Sequence, residues 1–103
     1  MTDKELLELA AKAAGISGLY RGDTVHIQGF YVYPNNTLWN PLTDNGDALW
    51  LAVKLELNVC CDADGAAVID KEGGPTWESA KTDPYAATRR AIVRAAAAIG
   101  EKM

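Results

Sequence analysis

Residues 39–57, WNPLTDNGDALWLAVKLEL, run from a turn signal through a helix start into an apolar stretch. Asp44 is placed to cap that helix with its side-chain oxygen, and Asp47 falls at N3, where a carboxylate faces the positive end of the helix dipole. The cap fixes the phase of a helix over about residues 45–55. Apolar residues at 48, 49, 51, 52, 53 and 55 then cover most of its circumference and read as interior positions. The polar remainder is Asp47 and Lys54, and spacings of three and four put Trp50 on the same stripe between them. The phase predicts an indole among charged side chains, and an exposed helical tryptophan is favoured at protein contacts.

Downstream of this helix, ELNVCC and AAVID flank DADG, a turn sequence ending in glycine, and read as an antiparallel hairpin. Leu57, Val59 and Cys61 share one face of it, with Glu56, Asn58 and Cys60 on the other. After KEGGP, a third short strand around TWESA completes a meander. The C-terminal TDPYAATRRAIVRAAAAIG supplies Asp83 as cap, Pro84 at N1 and Gly100 as terminator. Its stripe is Tyr85, Thr88, Ile92, Ala95 and Ile99, and the alanine run 95–98 permits close approach to another element.

Upstream, Thr2 and Glu5 form a capping box at the start of a first helix with Leu6, Leu9, Ala10 and Ala13 in its stripe, and Gly15 takes the left-handed position after it. SGLYRGD reads as a loop. TVHIQGFYVY reads as one strand with Gly29 as a bend, broken by PNNT. The order is α-β-α-β-β-(β)-α. Consecutive strands in a meander require antiparallel pairing, so the expectation is a single α+β domain over residues 1–103, with a small antiparallel sheet of three to four strands layered with three helices on both faces.

The totals bound the function. At 103 residues, 49% of them apolar and 23% charged, the chain is long enough for one core and far from the composition of disorder. A formal charge of −4 gives no long-range attraction for nucleic acid or anionic membrane. The longest strongly apolar run, residues 48–53, falls far short of the ~18 residues of a membrane span. The acidic N-terminus does not read as a signal peptide. These features point to the cytoplasm. The two cysteines, Cys60 and Cys61, are adjacent and point to opposite faces of a strand, which excludes a disulfide framework and agrees with a reducing compartment.

WNPLTDNGDAL with LAVKL after it, and DPYAATRRAIVRAAAAIG at the C-terminus, together resemble the phage ABA sandwich domain, a family of small uncharacterised proteins encoded by bacteriophages and prophages. The match spans roughly residues 39–57 and 83–100. The resemblance implies a sheet layered between helices and a bacterial host cytoplasm. It implies no catalytic residues.

No set of residues assembles a catalytic site in the sequence. His26 is the only histidine, so a dyad with Cys60 or Cys61 would have to use it, and nothing local activates either partner. The cysteine pair reads as one side chain in the core and one outside or under a helix. DADG lacks the third oxygen and distal glutamate of a calcium loop, and one histidine with two adjacent cysteines cannot close a zinc tetrahedron. No glycine pattern cradles a phosphate, so no cofactor is expected. Arg89, Arg90 and Arg94 are the densest positive charge, and two of them lie one turn apart, able to hold a phosphate or carboxylate. The sequence therefore favours a noncatalytic accessory protein that binds a host or phage protein through Asp47, Trp50 and Lys54, with self-association open. Nucleotide or nucleic-acid binding through the three arginines is the alternative.

Overall fold

The computed structural model describes residues 1–22, 28–80 and 83–103. Its elements are α1 (Asp3–Ala14), β1 (Gly18–Arg21), β2 (Gly29–Val32), β3 (Thr37–Trp39), α2 (Asn45–Lys54), β4 (Asn58–Asp62), β5 (Gly65–Ile69), β6 (Pro75–Ser79) and α3 (Pro84–Glu101). The fold is α+β, with three helices and antiparallel strand pairing among the described residues. Among the described residues the strands number six and divide into two sheets, β1-β2-β3 and β4-β5-β6, where the sequence suggests three to four in one. The two additional strands are short. Gly18–Arg21 is hidden in a segment with turn composition, and Thr37–Trp39 follows directly on PNNT.

The helix ends follow their caps. Thr2 and Glu5 close a reciprocal capping box on α1, and Asp44 accepts from the Asp47 amide at 2.7 Å to start α2. Asp83 accepts from the amides of Tyr85 and Ala86 at the start of α3. Both α1 and α2 end in the same paired hydrogen bonds: Ile16 to Ala11 and Gly15 to Lys12 in one, Leu57 to Ala52 and Glu56 to Val53 in the other. The left-handed position is Gly15 in α1 (φ 74°) but Glu56 in α2 (φ 56°), a conformation in which a side chain is strained.

Helix α3 is the centre of the molecule. It packs on α1, on α2 and on all three strands of the second sheet. Its buried residues, Ala87, Ala91, Ile92, Val93, Ala95, Ala96, Ala97 and Gly100, therefore occupy far more than a stripe, while Tyr85 of the expected stripe stands in solvent. Gly100 does not terminate the helix, which continues to Glu101. A Cβ there would collide with the backbone carbonyl of Leu9, so the glycine permits α1 and α3 to touch backbone to backbone. In α1 the buried face is Leu6, Leu7, Ala10, Ala11 and Ala14, turned toward α3 by about one residue from the expected stripe.

Each sheet is covered by helices on one face. Ala66 and Val68 of β5 are fully buried under α3, and their register partners Cys61 and Val59 share that face. The opposite face carries Cys60, Ile69 and Trp77, all exposed. In the first sheet Phe30 and Trp39 are register partners, both buried, with rings edge to face at 6.1 Å. Behind them, on the outer face, the Arg21 guanidinium lies 5.6 Å from the Tyr31 ring. No helix among the described residues is long and apolar enough to cross a membrane.

Candidate functional site

The turn before α2 is built around Asn40. This buried side chain donates to the Gln28 carbonyl at 3.1 Å and accepts from the Leu42 amide at 3.1 Å, while its carbonyl receives the amides of Thr43 and Asp44. Its own amide donates to Asp47 at 2.9 Å. Asp47 is thus drawn back toward the turn and half-buried. Burial raises its carboxyl above the usual aspartate range, the Asn40 amide opposes that shift, and the nearby Asp44 charge adds to it.

One turn on, the Trp50 indole packs perpendicular to the buried Trp39 ring, with centroids 6.5 Å apart, and remains 47% exposed. Lys54, the last member of the stripe, is exposed. The structure therefore keeps Asp47, Trp50 and Lys54 on one side of α2 but gives them separate surroundings. Asp47 braces the turn, Trp50 is anchored on one side and wet on the other, and Lys54 stands in water.

The larger feature lies beside them. Leu49 is 65% and Val53 69% exposed, where helix phase and composition predict interior positions for both. They are neighbours one turn apart, and Trp50 adjoins Val53 at a spacing of three. Leu49 also forms one wall of a hollow of about 290 Å³ between α2, the start of α3 and β4, with Val59, Tyr85 and Ile92 among its lining. Tyr85 and Thr88 are shared with an adjoining hollow of about 400 Å³ that reaches Cys61 and Ala63 on the β4–β5 hairpin. An apolar surface so continues from α2 across the first turn of α3 to an edge strand. The signal for it in the sequence is the excess of apolar residues on α2. A helix apolar around most of its circumference calls for cover on every side, and among the described residues no element covers Leu49 and Val53.

The arginines are not brought to one point. Arg89 donates from Nε to the Leu42 carbonyl at 2.9 Å and from Nη1 to the Asn45 side-chain oxygen at 2.7 Å, tying α3 to the start of α2. Arg90 pairs with Asp3 at 3.4 Å, and Arg94 with Glu78 at 2.7 Å and the Trp77 carbonyl at 2.9 Å. Arg90 and Arg94 do border a common hollow, but the Glu78 carboxylate sits in it with them. Cys60 and Cys61 are both free thiols and both exposed, so neither is the core residue expected of one of them. His26 lies outside the described residues. Among the described residues, no three His, Cys, Asp or Glu side chains gather closely enough to hold a metal.

No protein family, curated protein or solved structure shows significant similarity to this chain. Its own surfaces are what its function must be read from.

Proposed function

We propose that the chain is a noncatalytic accessory protein of phage or prophage origin, acting in the bacterial cytoplasm by binding another protein through the outward face of α2. The observation that carries this reading is the contiguity of Leu49, Trp50 and Val53, all large, apolar and about half exposed or more on a helix whose other face completes the core. Side chains of this kind, adjacent and apolar, form the centres of protein interfaces. Lys54, exposed at the end of the patch, and Asp47, half-buried at its start, supply the polar rim such a centre has. The phage origin rests on the resemblance of residues 39–57 and 83–100. Anion binding by Arg89, Arg90 and Arg94 is the weaker reading, because each guanidinium already has an acceptor.

The test is capture of a partner from lysates of infected or lysogenic bacteria by the wild-type chain, by Trp50→Ala and by the double variant Leu49→Ser, Val53→Ser. Trp50 also supports Trp39, so the double variant is the cleaner probe of the surface alone. The reading expects both variants to keep the wild-type circular dichroism spectrum and to lose the captured protein by roughly tenfold or more, the scale of one to two interface anchors. Equal capture by the double variant and the wild type would exclude this face.

A further inference from the structure

Beyond the α2 face, the second sheet presents a free edge. All five residues of β4 are exposed, and among the described residues no strand pairs with its outer side. The opposite edge of the same sheet, β6, is blunted: it opens with Pro75, which lacks an amide, and carries Glu78, held by Arg94. Strand β4 has no proline, no lysine and no bulge, and its register against β5 is regular from Asn58 to Asp62. Its one charge is Asp62, at the hairpin end, so residues 58–61 carry none of the devices that protect an edge from another strand.

We propose that β4 pairs antiparallel with the β4 of a second copy of this chain, joining two three-stranded sheets into one of six strands about a two-fold axis at Cys60. The hairpin fixes which backbone groups are available. Its two-residue loop closes on the pair Asp62 and Gly65, and antiparallel hydrogen bonding alternates along the strand. Asn58, Cys60 and Asp62 therefore turn their amides and carbonyls toward β5, and Val59 and Cys61 turn theirs outward.

A two-fold axis at Cys60 puts outward-facing Val59 opposite outward-facing Cys61 of the second copy, so both edges are satisfied in one register. Cys60 then faces Cys60 of the second copy in the closer, non-hydrogen-bonded pair.

Charge and apolar cover favour the same arrangement. Antiparallel pairing carries the two acidic hairpin tips, each with Asp62 and Asp64, to opposite ends of the interface. It sets each Asp62 carboxylate beside the Asn58 amide of the other copy, a neutral donor. It also shelters Val59 and the 70%-exposed Tyr85, which flank the edge on the α3 side. A second copy is thus the occupant whose hydrogen-bonding groups, charges and apolar side chains all match those already present.

Light scattering of the reduced full-length chain reads the oligomer directly, with a mass twice that of the 11.1-kDa protomer expected. Val59→Pro removes an outward amide without touching a bond to β5, and Val59→Lys places a charge on the edge at an already exposed site; both are expected to be monomers with the wild-type circular dichroism spectrum. Diamide reads the register. Two facing thiols form one S–S bond as their two protons and two electrons pass to the diazene, which becomes a hydrazine. Cys61→Ser, which retains Cys60, should form covalent dimers at least tenfold faster than Cys60→Ser. In that second variant the Cys61 residues of the two copies are diagonal and beyond the roughly 7 Å Cα separation a disulfide spans. A monomer at the highest soluble concentration, the result if the edge instead receives a strand from a different protein, overturns the proposal. So does dimerisation that survives Val59→Lys, or faster cross-linking through Cys61.

Discussion

Helix α3 buries eight residues, five of them alanine, whereas α2 buries only Ala48, Leu51 and Ala52 and leaves Leu49, Trp50 and Val53 in contact with water. Yet α2 has the denser supply of large apolar side chains, with Leu49, Trp50, Leu51 and Val53 in a helix of 10 residues. The difference lies in what surrounds the two. Helix α3 is enclosed by α1, α2 and the second sheet, and its small side chains let three neighbours approach its backbone. Helix α2 packs through one side only, against α3 and the Trp39 ring. Small residues across the buried faces therefore mark the helix at the centre, and large apolar residues beyond the buried face mark a helix with one side still to be covered. That distinction separates what holds the fold together from what is available to bind.

The strongest way to break the comparison is to deny α3 its close approach. Gly100→Val sets a branched side chain against the Leu9 carbonyl, where backbone rather than a flexible side-chain end must give way. The expected loss is about 3 kcal/mol or more, at the upper end for overpacking, read as a lower urea midpoint or as loss of cooperative unfolding. A loss below about 1 kcal/mol would mean that α1 and α3 separate easily and that α3 is not the structural centre.

The same substitution made twice on α2 sharpens the contrast between its faces. Leu51 is fully buried, and Leu51→Ala should cost about 2–5 kcal/mol through lost burial and the cavity left behind. Leu49→Ala, two residues away on the exposed face, should stay within about 0.5 kcal/mol of wild type. Matched denaturant curves for the two variants decide it. Equal losses would show that Leu49 belongs to the core in solution, and the surface proposed for binding would disappear with it.

Capping chemistry is legible in the sequence because it is local. Thr2, Asp44 and Asp83 each start a helix where their side chains reach the next free amides, and DADG turns the hairpin through Asp62, which accepts from Asp64 and Gly65. Burial is less legible because it depends on neighbours distant in sequence. Gly100 has the composition of a stop and acts as a contact, since the residue it must avoid, Leu9, is on another helix. Leu49 and Val53 have the composition of core and lie outside it. The division into two sheets is hidden for a related reason: four- and three-residue strands such as β1 and β3 have little pattern of their own and form by pairing with β2. At the site, the alignment of Asp47, Trp50 and Lys54 follows from helix phase alone, but the Asn40 bracket on Asp47 and the Trp39 ring behind Trp50 require the tertiary structure.

The smallest expected effect is electrostatic and concerns an acid on each side of the comparison. Asp47 lies in the first turn of α2, and Asp70 lies in the β5–β6 turn near Lys102 at the end of α3. Amide donation from Gly74, with help from Glu72, Lys102 and Gly73, holds the Asp70 carboxyl below its ordinary range against the opposing effect of burial. A depressed folded value means that Asp70 contributes stability above its unfolded pKa, and this is lost as pH falls through the folded one. Asp47 has the opposite sign. Its raised value means that the folded chain holds that proton more tightly than the unfolded chain does, so its contribution is complete below the unfolded pKa and is lost as pH rises through the folded one. In thermal melts between neutral pH and about pH 3, the advantage of wild type over Asp70→Asn should shrink on acidification. Over the same range, wild type should gain on Asp47→Asn. Two profiles sloping the same way would mean that the Asn40 amide outweighs burial at Asp47 and holds its carboxyl below the ordinary range, and a flat Asp47 profile would mean that the carboxyl is fully solvated and the turn does not brace α2.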